Sequence, residues 1–211
     1  MNHPDTVSNP KEIFARLFDR YPQLEVCETA IHAAFDILYS CYRNCGKTLV
    51  CGNGGSAADA EHIVGELMKS FMRKRPLNRE LATQLPDELA SKLEGALPAV
   101  SLVSMSGIIT AFANDVAWET AFAQQVVGLG RSGDTLVALS TSGNSANCVN
   151  AAIVARAMGI RVVSFTGQHG GRLSEIADVV IKVPETETYK VQELHLPVYH
   201  AICAALEAAL F

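Results

Sequence analysis

The chain has 211 residues, of which 49% are hydrophobic and 18% charged, and this fits one domain with a sizeable core. The formal net charge of −5 argues against a nucleic-acid-binding protein, which needs a basic face. The polar start, Met1–Asn9, and the lack of any apolar run of about 18 residues argue against an export signal or a membrane span, so we expect a soluble cytoplasmic protein.

Six cysteines are scattered along the sequence without the paired spacing of zinc-binding motifs. A disulfide framework is not expected at this chain length in the cytoplasm. We therefore interpret the cysteines as buried, reduced thiols. They are Cys27, Cys41, Cys45, Cys51, Cys148 and Cys203.

Two amphipathic helices are predicted near the N-terminus, over roughly Pro10–Arg20 and Leu24–Arg43, because apolar residues recur there at three- and four-residue intervals. We interpret residues 1–45 as a helical arm that packs on a single domain over residues 46–211. A small α/β core is not expected to cover the apolar faces of both helices, which favours a homo-oligomer.

Short apolar runs alternate with longer helix-like segments after Gly46, and most of these runs end in polar, glycine-rich loops. This alternation predicts an α/β fold of three layers, with a five-stranded parallel sheet between helices on both faces. Ligands bind beyond the carboxyl ends of the strands in such sheets. The predicted strands are Thr48–Cys51, Ala99–Val103, Thr135–Leu139, Arg161–Phe165 and Val179–Val183.

The loop after the first strand, Gly52-Asn53-Gly54-Gly55-Ser56, leads directly into a helix. Glycines let a ligand approach the backbone, and a helix N-terminus favours an anion, so the loop is a candidate phosphate site. The alternative is a tight turn in which Ser56 caps the helix. The sequence matches neither a Walker loop nor the dinucleotide fingerprint, so no nucleotide cofactor is expected.

Two further loops are candidates for the same crevice. Ser140-Thr141-Ser142-Gly143-Asn144-Ser145 follows the third strand, and its hydroxyls are short neutral donors beside the start of the helix Ala146–Met158. Some of these hydroxyls are expected only to cap that helix. Residues 166–171 follow the fourth strand, and two or three such loops in one sheet are less expected by chance than one.

Two segments depart from the alternation. Residues 73–97 are rich in charge and proline, with a possible short helix over Pro86–Leu93, and we interpret them as a surface insertion or a lid. The last segment, Thr188–Leu210, has the helical period but contains Pro197. An interior proline costs roughly 3 kcal/mol, so a kink or a local break is expected there.

Candidate chemistry lies on two of the predicted helices. His62 and Glu66 are four residues apart, so they share a face beside the first loop. Gln192 and His200 are eight apart on the last helix and lie roughly on one side of it. The other histidines considered are interpreted as surface residues. They are His3, His32 and His169.

Four segments, in their order along the chain, resemble the sugar isomerase (SIS) domain family, and within it the phosphoheptose isomerases that act on sedoheptulose 7-phosphate. The resemblance covers nearly the whole chain from about residue 10 and implies a SIS-type, flavodoxin-like fold and a homotetramer. The segments are Cys51–Ala60, Ser140–Ser145, Thr166–Gly171 and Val191–His195.

The resemblance implies aldose–ketose isomerisation through an enediolate, with Glu66 as the base and His200 as the acid that serves the oxygens. It also implies a zinc or similar divalent ion, which some members bind through residues matching His62, Glu66, Gln192 and His200. Sugar-phosphate binding is then assigned to Asn53, Gly54, Gly55, Ser56, Ser140, Thr141, Ser142, Ser145 and Gln192.

Two departures from the family pattern bear on the sugar. Many members have an acidic residue after the second strand, where this chain reads Val103-Ser104-Met105-Ser106, and the family's usual arginine is Lys190 here. The alternative function is a non-catalytic SIS protein that binds sugar phosphates or a protein partner as a regulator. Such relatives lack the terminal histidine, so the presence of His200 favours the enzyme.

Overall fold

A computed structural model describes residues 9–211 of the chain, so His3 and most of the polar start lie outside the described residues. Five parallel strands form one sheet in the order β2-β1-β3-β4-β5. This is the doubly wound, flavodoxin-like order, and it confirms the predicted fold class. The strands are β1 (Thr48–Cys51), β2 (Ala99–Ser101), β3 (Thr135–Leu139), β4 (Arg161–Thr166) and β5 (Val179–Lys182).

Helices connect the strands and cover both faces of the sheet. Short 3₁₀ turns lie at Pro22–Cys27 and Trp118–Thr120. No helix in the described part of the chain is both long and apolar enough to span a membrane. The α-helices are α1 (Pro10–Arg20), α2 (Glu28–Arg43), α3 (Gly55–Met68), α4 (Arg79–Ala82), α5 (Asp87–Ala90), α6 (Ser106–Asp115), α7 (Ala121–Leu129), α8 (Ala146–Ala157), α9 (Leu173–Ile176) and α10 (Thr188–Leu210).

Successive residues of a strand point to opposite faces, and this alternation divides the core in two. In β1, Val50 packs into the cluster on the side of α1, α2, α3 and α10, while Leu49 and Cys51 pack against α7 and α8. Strand β3 repeats the pattern, with Val137 on the first side and Leu136 on the second. The sheet is therefore buried on both faces, which its continuous apolar strands require.

The N-terminal helices belong to the first of these layers. Phe14 of α1 and Ile31 of α2 are buried in the cluster that also contains α10. By contrast α6 buries none of its residues, and Trp118 just after it is 48% exposed. Uncovered apolar surface thus lies at α6, and also at Val26, which is 76% exposed within the predicted N-terminal helix Leu24–Arg43.

Three local expectations need correction. Five cysteines are buried, but Cys45 is exposed. The segment 73–97 is not entirely on the surface, because Arg75 is fully buried and Leu97 nearly so. Pro197 does not break α10, and the carbonyl that loses its hydrogen-bond donor belongs to the exposed Glu193, where water can bond to it.

Candidate active site

The site lies where the strand order reverses. Strands β1 and β3 are neighbours, yet the chain after β1 enters α3 on one face and the chain after β3 enters α8 on the other. This opens a crevice at their carboxyl ends, the usual ligand position in such folds. Three loops lie there, defined as loop 1 (residues 52–56), loop 2 (140–145) and loop 3 (166–171).

A reciprocal pair of amides connects loop 1 to the helix that follows loop 2. Asn53 Nδ2 donates to Asn147 Oδ1 at 2.9 Å, and Asn147 Nδ2 donates to Asn53 Oδ1 at 2.8 Å. Asn147 is 3% exposed, so the pair is shielded from water. Asn53, which was assigned to phosphate binding, therefore uses its side chain to hold the loops in register.

Loops 2 and 3 are in direct contact. The Gly167 N–H donates to the Thr141 carbonyl at 2.9 Å. Gly143 has a φ of +68°, and a Cβ there would lie 1.9 Å from the Gly170 carbonyl oxygen. Only glycine fits this approach and this backbone conformation. The expectation that the third loop lines the same crevice agrees with these contacts.

The hydroxyls of the loops differ in accessibility. Ser56 and Ser140 are 2% and 3% exposed, and Ser140 Oγ donates to Ser145 Oγ at 2.9 Å. Ser142 is exposed, and its Oγ accepts the Asn144 N–H at 3.1 Å, which leaves its own proton free. Ser142 is thus placed to meet a ligand, whereas Ser140 orders the loop.

Helices α3 and α10 bring three of the candidate side chains into contact. His62 Nε2 lies 3.1 Å from Glu66 Oε1 and 3.3 Å from His200 Nε2. The Glu66 side chain is 12% exposed and that of His62 41%, so the group opens to solvent on one side. Burial, and next the proximity of His62, lower the pKa of His200, while Glu66 opposes this.

Gln192, the fourth member of the expected set, lies at loop 1. A Cβ on Gly55 would lie 2.7 Å from the Gln192 side-chain oxygen and nitrogen, so a side chain at position 55 would displace that amide. Gln192 therefore joins α10, the helix of His200, to loop 1. This contact links the loops to the helix that carries part of the His62, Glu66 and His200 cluster.

Two residues that the sequence analysis did not assign complete the cluster. Tyr199 Oη donates to Asp59 Oδ1 at 3.1 Å and lies 3.0 Å from His62 Nδ1. The Tyr199 ring meets His62 and His200 edge-on, with centroids 5.5 and 5.0 Å away. Burial raises the pKa of Asp59, against the lowering effects of the Tyr199 hydrogen bond and of His62.

A buried ion pair anchors the end of the helix that carries Glu66. Arg75 Nε donates to Glu207 Oε1 at 2.7 Å, and both side chains are fully buried. The Arg75 guanidinium also donates to the carbonyls of Leu67, at 2.6 Å, and Glu66, at 2.8 Å. Glu207 in turn accepts three backbone N–H groups of residues 71–73.

The structure shows which side chains contact the two positions that depart from the family pattern. Ser104, in the loop after β2, donates to Glu61 Oε1 at 2.8 Å. A carboxylate from α3 is therefore present beside the loop that lacks its own acid. Lys190 is paired with the exposed Glu187.

Sequence signals for the unassigned residues were weak but present. Asp59 precedes His62 by three positions on a predicted helix, so the two share a face. Tyr199 directly precedes His200. The Arg75–Glu207 pair joins positions more than 130 residues apart, and no local pattern predicts it.

The chain is similar to known proteins over most of its length. The SIS domain profile matches residues 16–96 and 94–167, well over half of the chain. The phosphoheptose isomerase of Rhodospirillum rubrum is 38% identical over 192 residues, 91% of this chain and 92% of the relative. That of Akkermansia muciniphila is 41% identical over 165 residues, 78% of this chain and 77% of the relative.

Solved structures agree with these sequences. The phosphoheptose isomerase from Neisseria gonorrhoeae superposes with a TM-score of 0.72 at 32% identity, over 92% of this chain and 94% of that one. The phosphoheptose isomerase from Francisella tularensis gives a TM-score of 0.73 at 29% identity, over 92% and 95% of the two chains. The likeness thus extends to both the sequence and the fold.

Proposed function

The chain belongs to the SIS domain family and, within it, to the group of the phosphoheptose isomerases, and from this premise we propose that it interconverts the ketose and aldose forms of a seven-carbon sugar phosphate. Sedoheptulose 7-phosphate is the proposed ketose. The observation that carries the proposal is the contact of His62, Glu66 and His200 beside phosphate-type loops at the switch point.

The phosphate group is proposed to bind between loops 1 and 2. Backbone N–H groups at the starts of α3 and α8, with the free Ser142 hydroxyl, supply donors without a fixed positive charge. The proximity of Gly55 and Gln192 supports a position for the sugar next to loop 1. The phosphate thereby anchors the reacting carbons near α3 and α10.

Glu66 is the proposed base. Its carboxylate takes the proton from the carbon beside the carbonyl and returns it to the neighbouring carbon, so the carbonyl moves by one position. His200 serves the two oxygens: it donates a proton to the carbonyl oxygen as negative charge develops there and takes one from the neighbouring hydroxyl, which becomes the new carbonyl. Because the cluster opens to solvent on one side, the proton held by Glu66 can exchange with water before it is returned to carbon.

A divalent ion such as zinc is proposed at the same cluster. Two imidazoles, a carboxylate and the Gln192 amide oxygen suit zinc chemically. Ligands about 2.0–2.1 Å from a tetrahedral zinc lie about 3.3 Å from each other, and the His62 contacts of 3.1 and 3.3 Å are close to that separation. Within residues 9–211 no three His, Cys, Asp or Glu side chains are arranged to hold a metal ion. When bound, the ion would polarise the carbonyl oxygen.

The proposed protein is a cytoplasmic homotetramer. The six free cysteines support a reducing compartment. The unburied helix α6 and the exposed Trp118 support a contact with another copy of the chain.

An aldose-forming assay with sedoheptulose 7-phosphate tests the function, run on protein as purified, after chelation, and after zinc is returned. We expect turnover that chelation abolishes and zinc restores. Turnover that survives chelation would contradict the proposed zinc site but not the proposed isomerase activity. No turnover in any arm, with the sugar phosphate still bound, would favour the regulatory alternative.

A further inference from the structure

The His62 ring is held on its far side by a short chain of hydrogen bonds that the reaction does not itself require. Tyr199 Oη lies 3.0 Å from His62 Nδ1 and 3.1 Å from Asp59 Oδ1. Tyr199 is 2% exposed, so little water competes for its hydroxyl. Hydrogen bonds in such surroundings are stronger than in water.

The direction of each of these two hydrogen bonds follows from which atoms carry a proton to donate. An ionised carboxylate only accepts, so the one Tyr199 proton goes to Asp59. The tyrosine oxygen then has only lone pairs to offer, and His62 Nδ1 must carry the proton between them. A neutral His62 in this state has its lone pair on Nε2, the atom beside Glu66 and His200. The Glu66 carboxylate competes for the proton at Nε2, but this side of the ring is open to solvent, whereas Tyr199 is shielded from water.

We propose that Asp59 and Tyr199 are positioning residues that hold His62 with its proton on Nδ1, against the competing Glu66 carboxylate at Nε2, and so keep the Nε2 lone pair available. The inference deepens the proposed function, on which it rests. It gives His62 the role of an acceptor toward a metal ion or a substrate hydroxyl. Partners of this kind on the second ring nitrogen are common around metal-binding histidines.

The ring contacts of Tyr199 do not depend on its hydroxyl, so the role of the hydroxyl can be tested separately. Tyr199 also meets the His62 and His200 rings edge-on, so Tyr199→Phe keeps these contacts and removes only the oxygen. A matched control exists in Tyr42, whose Oη lies 2.7 Å from Thr48 Oγ1. Tyr42→Phe likewise removes one tyrosine hydrogen bond, but its partner Thr48 does not belong to the His62 cluster.

The direct test is the tautomer of His62, read from the ¹⁵N shifts of both ring nitrogens in full-length protein with labelled histidine. Spectra are taken above the ordinary histidine pKa of about 6.5, and His62→Gln assigns the signal. We expect the proton on Nδ1 in the wild type and in Tyr42→Phe, and a shift toward Nε2 in Tyr199→Phe. A wild-type proton on Nε2, or an unchanged tautomer in Tyr199→Phe, would overturn the proposal.

Two further readouts use the same variants. Zinc affinity, measured by calorimetry on metal-free protein, should fall about 10- to 100-fold in Tyr199→Phe and stay unchanged in Tyr42→Phe. For sedoheptulose 7-phosphate, kcat should fall with KM nearly constant, since the phosphate loops are untouched. Wild-type kcat and zinc affinity in Tyr199→Phe would overturn the positioning role. The tautomer readout needs no turnover, so it remains decisive if the isomerase function itself fails.

Discussion

At the scale of single residues, serines within loop 2 differ in burial and in hydrogen bonding. Ser140 is buried and bonds to Ser145, whereas Ser142 is exposed with a free proton. The sequence predicted both as phosphate ligands because hydroxyl content cannot show which side chain turns inward. Burial therefore separates Ser140, which orders the loop, from Ser142, which is the proposed phosphate ligand.

Ser142→Ala should weaken substrate binding. The lost donor to a charged phosphate is worth about 1–3 kcal/mol, which corresponds to a KM higher by roughly 5- to 150-fold with kcat little changed. Steady-state kinetics measure this, with Ser132→Ala at the opposite end of the sheet as control. An unchanged KM would remove Ser142 from the phosphate site.

His195 ties α10 to the end of β4, with Nε2 3.3 Å from the Thr166 carbonyl and the ring fully buried. Burial lowers the pKa of His195 to about 4, against the opposing effect of that hydrogen bond. An unfolded histidine has a pKa of about 6.5. The unfolded chain therefore binds more protons here between these values, and the free energy of unfolding decreases as the pH falls through this window.

Through His195 alone, the free energy of unfolding should change by up to about 1.4 kcal/mol per pH unit. His195→Gln should flatten the pH dependence of urea unfolding by that amount between pH about 6.5 and about 4. The exposed His169 provides the control, and His169→Gln should keep the wild-type slope. A wild-type slope in His195→Gln would show that His195 is not buried neutral.

At the scale of elements, hydrophobic runs predicted all five strands, and their ends differ from the structure by no more than two residues. The alternation of strand and helix was sufficient because each element has its own local period. The chemistry on α3 was also predicted, since His62 and Glu66 are one helical turn apart. Tyr199 was missed because its role arises only where α10 packs on α3, which no local pattern records.

The anchored end of α3 gives a prediction at this scale. Glu207→Ala leaves the buried Arg75 guanidinium without its counter-ion, and removing one partner of a buried pair costs about 3–5 kcal/mol. Urea unfolding should show this loss, while Glu187→Ala, at a surface pair with Lys190, should cost under about 1 kcal/mol. Equal losses in the two variants would mean that the buried pair does not hold the helix end.

At the scale of the whole molecule, the doubly wound order places all three loops at one edge of the sheet. The sequence predicted this because the candidate loops follow predicted strands. It predicted uncovered apolar surface on the N-terminal helices, where Phe14 and Ile31 are covered but Val26 is 76% exposed, since an amphipathic pattern does not show which partner covers a face. In the structure α1 and α2 are covered by α10, and α6 is not buried.

Light scattering during gel filtration should give a mass four times that of one chain at micromolar concentration. Ile108→Asp, on α6, should lower that mass by breaking an apolar contact. Val26→Asp, which is 76% exposed near the N-terminus, should not lower it. A monomeric wild type would contradict the tetramer, and an unaffected Ile108→Asp would exclude α6 from the interface.

Glu66 is proposed to move a proton between neighbouring carbons of a sugar phosphate. Glu66→Gln keeps the shape of the side chain but cannot accept that proton, and a positioned base contributes about 10²–10⁴ in rate. The most direct measurement is solvent deuterium incorporation into sedoheptulose 7-phosphate by wild type and Glu66→Gln, with substrate affinity and zinc content determined on the same preparations. We predict incorporation by the wild type and a loss of about 10²–10⁴ in its rate in the variant, which still binds substrate and is not rescued by added zinc. Incorporation by Glu66→Gln at nearly the wild-type rate would contradict the account.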